Sequence, residues 1–233
     1  MKTNSMKNYI SILIFTTYLI TCFSCSQEDT KENITSLVYK LDIEVISDTI
    51  NPAVSEYLLQ KHGDSLIMSI NGEGSIRFDF IGSGKNGYDF NLFDINTNQY
   101  YGKWKHIDTL YYYDVSHNIL KLVERKSLDN QIVNSINCQV LEFKGVDEEH
   151  PNYYVNQTFY FNSDTLEVKS EKYRRYKEFF FDEYLLASNS FYVKKVIEMP
   201  EYRLTYTLIN NYKNRSMKQT EFNPPKNIPL KEM

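Results

Sequence analysis

The sequence predicts a mainly β protein of the α+β kind: a single long, curved antiparallel sheet with one or two short helices against it. A β-sandwich is the alternative. Three observations carry this. First, 20 Tyr and 14 Phe bring aromatics to 15% of 233 residues, and such rings suit pleated, half-buried surfaces. Second, apolar and polar residues alternate in run after run, which buries one face of an antiparallel sheet and leaves the other in water. Third, turn signals fall between the runs while helical periodicity is scarce.

The elements follow in order. Leu37, Tyr39, Leu41, Ile43 and Val45 alternate with Lys40, Asp42 and Glu44. Residues 52–61 open with Pro and read as one short helix. Leu66, Met68 and Ile70 alternate with Ser65 and Ser69, and Ile76, Phe78 and Phe80 with Arg77 and Asp79. Asn71-Gly72 between these two runs is the strongest short hairpin signal. Gly82 to Gly87 leads to Tyr88, Phe90 and Leu92, alternating with Asp89 and Asn91, and Asp94 to Asn98 turns into a strand over 99–104. Further strands are expected over 108–113, 119–125, 132–143, 153–161, 191–198 and 203–209, with a loop over 145–152. Residues 169–187 fit a helix or a strand: Tyr173, Tyr176, Phe180, Tyr184 and Ala187 share a helical face, yet the Phe179-Phe180-Phe181 run suits a strand equally. Asn223-Pro224-Pro225 is expected to end regular structure.

The N-terminus reads as an export signal. Lys2 and Lys7 precede an uncharged run from Ile10 to Thr21. As a helix those residues cover about 18 Å, short of the roughly 30 Å hydrocarbon core, so a cleaved signal is favoured over a retained anchor helix. The stretch Leu19-Ile20-Thr21-Cys22-Phe23-Ser24-Cys25 resembles a bacterial lipoprotein cleavage box. That resemblance implies removal of residues 1–24 and acylation of Cys25, with Cys22 as the competing site. Ser26-Gln27-Glu28-Asp29 behind it resembles the surface-export signal of Bacteroidetes lipoproteins. The layout expected is a signal peptide over 1–24, a polar tether over 25–35 and one β-rich domain over 36–233, anchored in outer-membrane lipid and facing the surface or the periplasm. Loss of Lys2 and Lys7 moves the net charge from −4 to −6, and with no basic excess nucleic acid is not an expected partner.

The opening strand at 40–45, the Ser-Leu-Ile-Met-Ser-Ile-Asn-Gly hairpin at 65–72, Gln-Tyr-Tyr-Gly at 99–102, Cys138 within Asn-Cys-Gln-Val and the closing strand at 206–210 together resemble the half-barrel of lipoprotein-carrier (LolA-like) proteins. The resemblance implies an apolar concave face that holds an acyl-type or other hydrophobic ligand. It implies no catalysis and no cofactor. An envelope assembly or scaffold module is the same reading without a ligand.

Several motifs are weighed against that reading. Gly63-Asp64-Ser65-Leu66 and Asp147-Glu148-Glu149-His150 resemble two blocks of the GDSL-type esterases, with Ser65 as nucleophile, His150 as base and Asp147 as orienter. The oxyanion block and the α/β layers of that fold are missing. Gly84-Lys85 lacks the turn glycine and the hydroxyl of a phosphate loop. His62, His106, His117 and His150 do not pair at ligand spacing, and Cys138 has no partner, so no metal site is expected. The basic run Lys169, Lys172, Arg174, Arg175 and Lys177 is interleaved with Glu167, Glu171 and Glu178 and reads as a mixed solvated face. Thr49, Ser65, Thr109 and Thr165 each stand in an Asp–Ser/Thr–apolar triplet, which resembles the O-glycosylation acceptor of exported Bacteroidetes proteins. An accessory carbohydrate-binding lipoprotein is a further alternative, for which Trp104 supplies the one indole.

Overall fold

The computed structural model describes residues 34–46, 53–213 and 217–233. Twelve strands form one sheet: β1 (Thr35–Val45), β2 (Ser65–Ile70), β3 (Ile76–Ile81), β4 (Tyr88–Asp94), β5 (Gln99–Trp104), β6 (Leu110–Asp114), β7 (Lys121–Val133), β8 (Ile136–Val146), β9 (Tyr154–Phe161), β10 (Tyr192–Glu198), β11 (Tyr202–Lys213) and β12 (Leu230–Glu232). Helix α1 (Ala53–His62) lies between β1 and β2, and α2 (Phe181–Ser188) between β9 and β10. The strand order is β12-β6-β5-β4-β3-β2-β1-β11-β10-β9-β8-β7. All pairs are antiparallel except β12 with β6. Two meanders, β1 to β6 and β7 to β11, are therefore zipped together along β1 and β11.

Connectivity dictates the curvature. Strands β6 and β7 are consecutive in the chain but lie ten places apart in the sheet. Flat, ten spacings would span about 48 Å, whereas the link from Asp114 to Lys121 can reach only about 25 Å. The sheet must curl until those two edges approach, so it is an open, curved half-barrel rather than a sandwich. Bulges in β11 at Ile209, opposite Val38 and Tyr39, in β4 at Tyr88/Phe90 and in β10 at Tyr192/Lys194 add local twist and bend. Val115 and Leu120, both buried, lie at the two ends of the short link.

The segment between β9 and β10 folds into the concave side. Residues 169–187, ambiguous in the sequence, form two 3-10 turns (Ser170–Tyr173 and Glu178–Phe180) followed by α2. Their rings interleave with those of the sheet. Tyr176 stacks on Phe93 at 4.3 Å, Tyr184 on Phe159 at 3.9 Å, and Phe180 lies parallel to Phe143 at 6.2 Å. Gly145 on β8 makes room, because a Cβ there would sit 2.8 Å from the Phe180 ring. Phe179 and Phe180 both adopt left-handed backbone (φ 50° and 59°), strained for bulky residues. The fully buried Gln157 holds this kink, its Nε2 donating to the Phe179 carbonyl at 2.8 Å.

The C-terminal segment covers part of the convex side. Phe222, 1% exposed, packs with Ile34, Phe90, Leu92, Tyr101 and Leu110. Gln219 Oε1 accepts from Asn71 Nδ2 at 3.1 Å, and the Glu221 carbonyl accepts from Arg77. The chain then closes with β12, so regular structure resumes after Pro225, contrary to the sequence expectation. This second layer also changes the reading of β4. Phe90 and Leu92, which alternation placed on the core face, lie under the C-terminal segment, while Asn91 and Phe93 point to the concave side.

Two more expectations are corrected. Strand 119–125 continues to Val133, and the expected strand 132–143 contains a turn at Asn134-Ser135, both at positive φ. Asn71-Gly72 does open a hairpin, but the turn spans Asn71 to Ser75: the Asn71 side-chain oxygen accepts from the Gly74 and Ser75 amides at 2.8 Å each. The asparagine side chain thus braces the turn from within.

Candidate functional site

Strands β2 and β3 present apolar groups to the concave side, β10 presents Lys195 between Tyr192 and Ile197, and β4, β5 and β6 present polar groups. Between these walls and the inserted segment lies a cavity of about 260 Å³. Leu66, Met68, Phe78, Phe80 and Ile197 form its apolar side. Asn91, Tyr100, Tyr113, Glu178 and Lys195 bring polar atoms to it. The bulge between Tyr88 and Phe90 lets both Tyr88 and Asn91 line the same space. Tyr88 packs there between Phe80 and Trp104.

The polar groups form two sets. Tyr113 donates its hydroxyl proton to Glu178 Oε1 at 2.5 Å. Asn91 Nδ2 donates to the Tyr100 hydroxyl at 2.9 Å, which leaves Asn91 Oδ1 buried without a partner. On the opposite wall the Lys195 ammonium lies over the Phe159 ring at 5.0 Å and the Tyr192 ring at 5.9 Å. It has no hydrogen-bond or ion-pair partner among the described residues. Burial lowers the Lys195 ammonium to about 8, against the opposing pull of Glu178. Burial raises the Glu178 carboxyl, opposed by the Tyr113 hydrogen bond and by Lys195. Burial also pushes the Tyr100, Tyr113 and Tyr176 hydroxyls up, so all three stay protonated donors at neutral pH.

A larger depression of about 470 Å³ lies at the rim, lined by Asn71, Asp164, Thr165, Lys169 and Asn211 among others. The Lys172 ammonium beside it is already tied to the Gly72 and Glu73 carbonyls at 3.0 and 2.9 Å. The smaller cavity is the stronger candidate, because there unpartnered polar atoms converge on an apolar space.

Neither cavity gathers the residues singled out from sequence into one site. Cys22, Cys25 and Thr49 lie outside the described residues. Ser65 opens β2 and its hydroxyl donates to Asp64 Oδ1 at 2.7 Å. His150 Nδ1 meets Asp147 Oδ2 at 3.1 Å in the β8–β9 loop. Through β1, β11 and β10, Ser65 is level with Tyr160, about 20 Å along the strands from that loop. The esterase constellation is not assembled. Thr109 precedes β6 half-buried, and Thr165 sits exposed in the turn after β9. Cys138 is fully buried, and burial raises its thiol. Trp104 is engaged by Tyr88 and Tyr111 at 5.2 and 5.4 Å, so its indole is no open platform. No group of three or more His, Cys, Asp or Glu side chains among the described residues could hold a metal.

No protein-family model matches this sequence, and no curated protein does. Solved structures do. PNGF-II aligns over 86% of this chain at 9% identity and a TM-score of 0.46, and the chain spans 31% of PNGF-II. The Mycobacterium tuberculosis lipoprotein LppX aligns over 83% of this chain and 93% of its own, at 8% identity and a TM-score of 0.37. A LolA-superfamily protein from Nitrosomonas europaea aligns over 84% and 91%, at 8% identity and a TM-score of 0.32. The neighbours thus include LolA-superfamily and LppX-like folds. No side-chain role is transferred from them.

The sequence reading missed the cavity residues, though one signal was present. Lys194-Lys195 are adjacent on a strand, and with a period of two one of any such pair faces the concave side.

Proposed function

We propose that this chain is a non-catalytic, lipid-anchored envelope protein that binds a small hydrophobic ligand in the cavity beneath its inserted segment. The observation that carries the reading is the cavity itself: a 260 Å³ space between the sheet and the insert, lined by Leu66, Met68, Phe78, Phe80 and Ile197 and bearing Asn91, Glu178 and Lys195 on its several walls. Its volume lies just under the roughly 300–1,000 Å³ of drug-sized sites, which suits a compact ligand. A long acyl chain would need the insert to shift. The anchor is argued from the Ser24-Cys25 junction alone, with residues 1–24 removed and Cys25 acylated. The exposed hydroxyl of Thr165 is the best placed of the described O-glycosylation candidates.

One experiment tests address and binding together. Native protein extracted in mild detergent is expected to partition into the detergent phase and to carry a small-molecule mass in native mass spectrometry. Cys25→Ser is expected to move to the aqueous phase with its cargo. Ile197→Trp, which would fill the cavity, is expected to stay in the detergent phase and lose the cargo. Overpacking of this kind costs about 1–3 kcal/mol, so circular dichroism should show the fold retained. A parent that stays aqueous removes the anchor, and an Ile197→Trp variant with undiminished cargo removes the cavity.

A further inference from the structure

The cavity has an unusual charge balance. It holds one cation, Lys195, and one carboxylate, Glu178, on different walls; each charge favours the other's ionised form, yet the two make no ion-pair contact. Glu178 has one oxygen engaged by Tyr113. The Lys195 ammonium has three donors, none bonded to a described residue, and lies over the Phe159 and Tyr192 rings. Asn91 is 8% exposed, and its Oδ1 is a buried acceptor without a donor. Its Nδ2 donates to the Tyr100 hydroxyl.

A ligand that satisfies these atoms must offer an acceptor to Lys195 and a donor to Asn91 Oδ1. Buried donors and acceptors left unpaired are costly, and the matching groups of a ligand remove that cost. The ligand must also carry no net charge. Lys195 and Glu178 already offset one another, and a third charge among aromatic walls would be buried without a counterion. Size sets the last limit: at about 260 Å³ the space falls below the roughly 300–1,000 Å³ of drug-sized sites, so the ligand is a compact one.

We infer that the cavity selects a small, net-neutral amphiphile with a head that both accepts and donates hydrogen bonds, of the class of aryl or alkyl primary carboxamides. The carbonyl oxygen faces Lys195, an amide N–H faces Asn91 Oδ1, and the apolar body lies against Met68, Phe78 and Phe80. This rests on the binding reading above and adds the chemistry of the head group.

Three probes with the same phenyl body test it by isothermal calorimetry at pH 7 on the purified full chain: hydrocinnamamide, hydrocinnamate and phenylpropylamine. The amide is expected to bind the parent roughly tenfold or more tightly than either charged analogue. In Glu178→Gln the Lys195 charge loses its counterion, and preference is expected to move towards hydrocinnamate. A parent that binds hydrocinnamate or the amine as tightly as the amide overturns the head-group inference and leaves the cavity a binding site. An unchanged ranking in a folded Glu178→Gln variant overturns it too. If none of the three probes binds the parent, both readings fall.

Discussion

His62 shows what burial does to a single titratable group here. It ends α1 with its ring against Phe80 and Tyr88, at centroid distances of 6.2 and 5.4 Å, and its Nδ1 is buried without a partner. Burial, and then the neighbouring Lys61 charge, lowers the imidazole from 6.5 to about 4. Between those values the unfolded chain binds a proton that the folded chain refuses. Stability on this account is fully present above pH 6.5 and falls as pH drops towards 4. Replacing His62 by Phe keeps a ring in place and removes the proton site. Urea midpoints measured across that window should therefore decline less in His62→Phe than in the parent. Equal slopes would mean that other groups govern acid sensitivity. The next residue adds a backbone constraint. Gly63 has φ +77°, and a Cβ on it would lie 1.9 Å from the Ile81 carbonyl oxygen, so the α1–β2 corner admits only glycine.

The C-terminal segment turns a two-sided strand into a core strand. Phe90 and Leu92 of β4, Tyr101 of β5 and Leu110 of β6 would face water on the convex side were Phe222 not laid over them. Truncation of a fully buried Phe to Ala commonly costs about 3–5 kcal/mol. Phe222→Ala should fall in that range by chemical denaturation, and a loss under about 1 kcal/mol would show that the segment is ornamental. The same segment explains what alternation could and could not reveal. In β1 the pattern Leu37, Tyr39, Leu41 picks the concave face correctly, because nothing among the described residues layers over Lys40 and Asp42, both exposed. In β4 both faces are buried, one by the insert and one by the tail, and a period-two reading cannot say which is which. The sequence pattern stops at residue 125 because the second half of β7, Lys126 to Ile132, is exposed throughout, leaving no buried face to mark it. Residues 169–187 stayed ambiguous because the left-handed pair Phe179-Phe180 breaks the helical period in the middle of the buried rings. Lys195 was legible only as one of two adjacent lysines. That Glu178 faces the same cavity depends on the fold of the insert, which no local pattern encodes.

Closure of the whole molecule depends on one seam. Strand β1 pairs with β2 nearby in sequence, but its other edge pairs with β11 from Thr35–Lys213 to Val45–Tyr202, the most distant partners in the chain. Within each meander every strand pairs with its neighbour in the chain; only this seam joins the two into one sheet. Such long-range pairing makes folding slow, since chain closure must precede the contacts that reward it. Once formed, the seam is flanked by the buried Leu37, Tyr39 and Leu41 on one strand and Leu204, Tyr206 and Leu208 on the other. Reaching past β11, Tyr39 donates its hydroxyl proton to the Tyr192 carbonyl of β10 at 2.8 Å. The outer strands are different. β7 has one paired edge, is bulged twice and is mostly exposed, and β12 is three exposed residues. Local opening draws on segments with few buried contacts, whereas a central seam opens only with the whole. Hydrogen–deuterium exchange should therefore show the β1–β11 amides among the slowest in the protein, with protection matching the global unfolding free energy. Amides along the exposed half of β7 should exchange faster by orders of magnitude. If instead the β11 amides exchange as fast as those of β7, the two meanders open independently, and a cavity whose walls come from both of them could not hold a fixed shape.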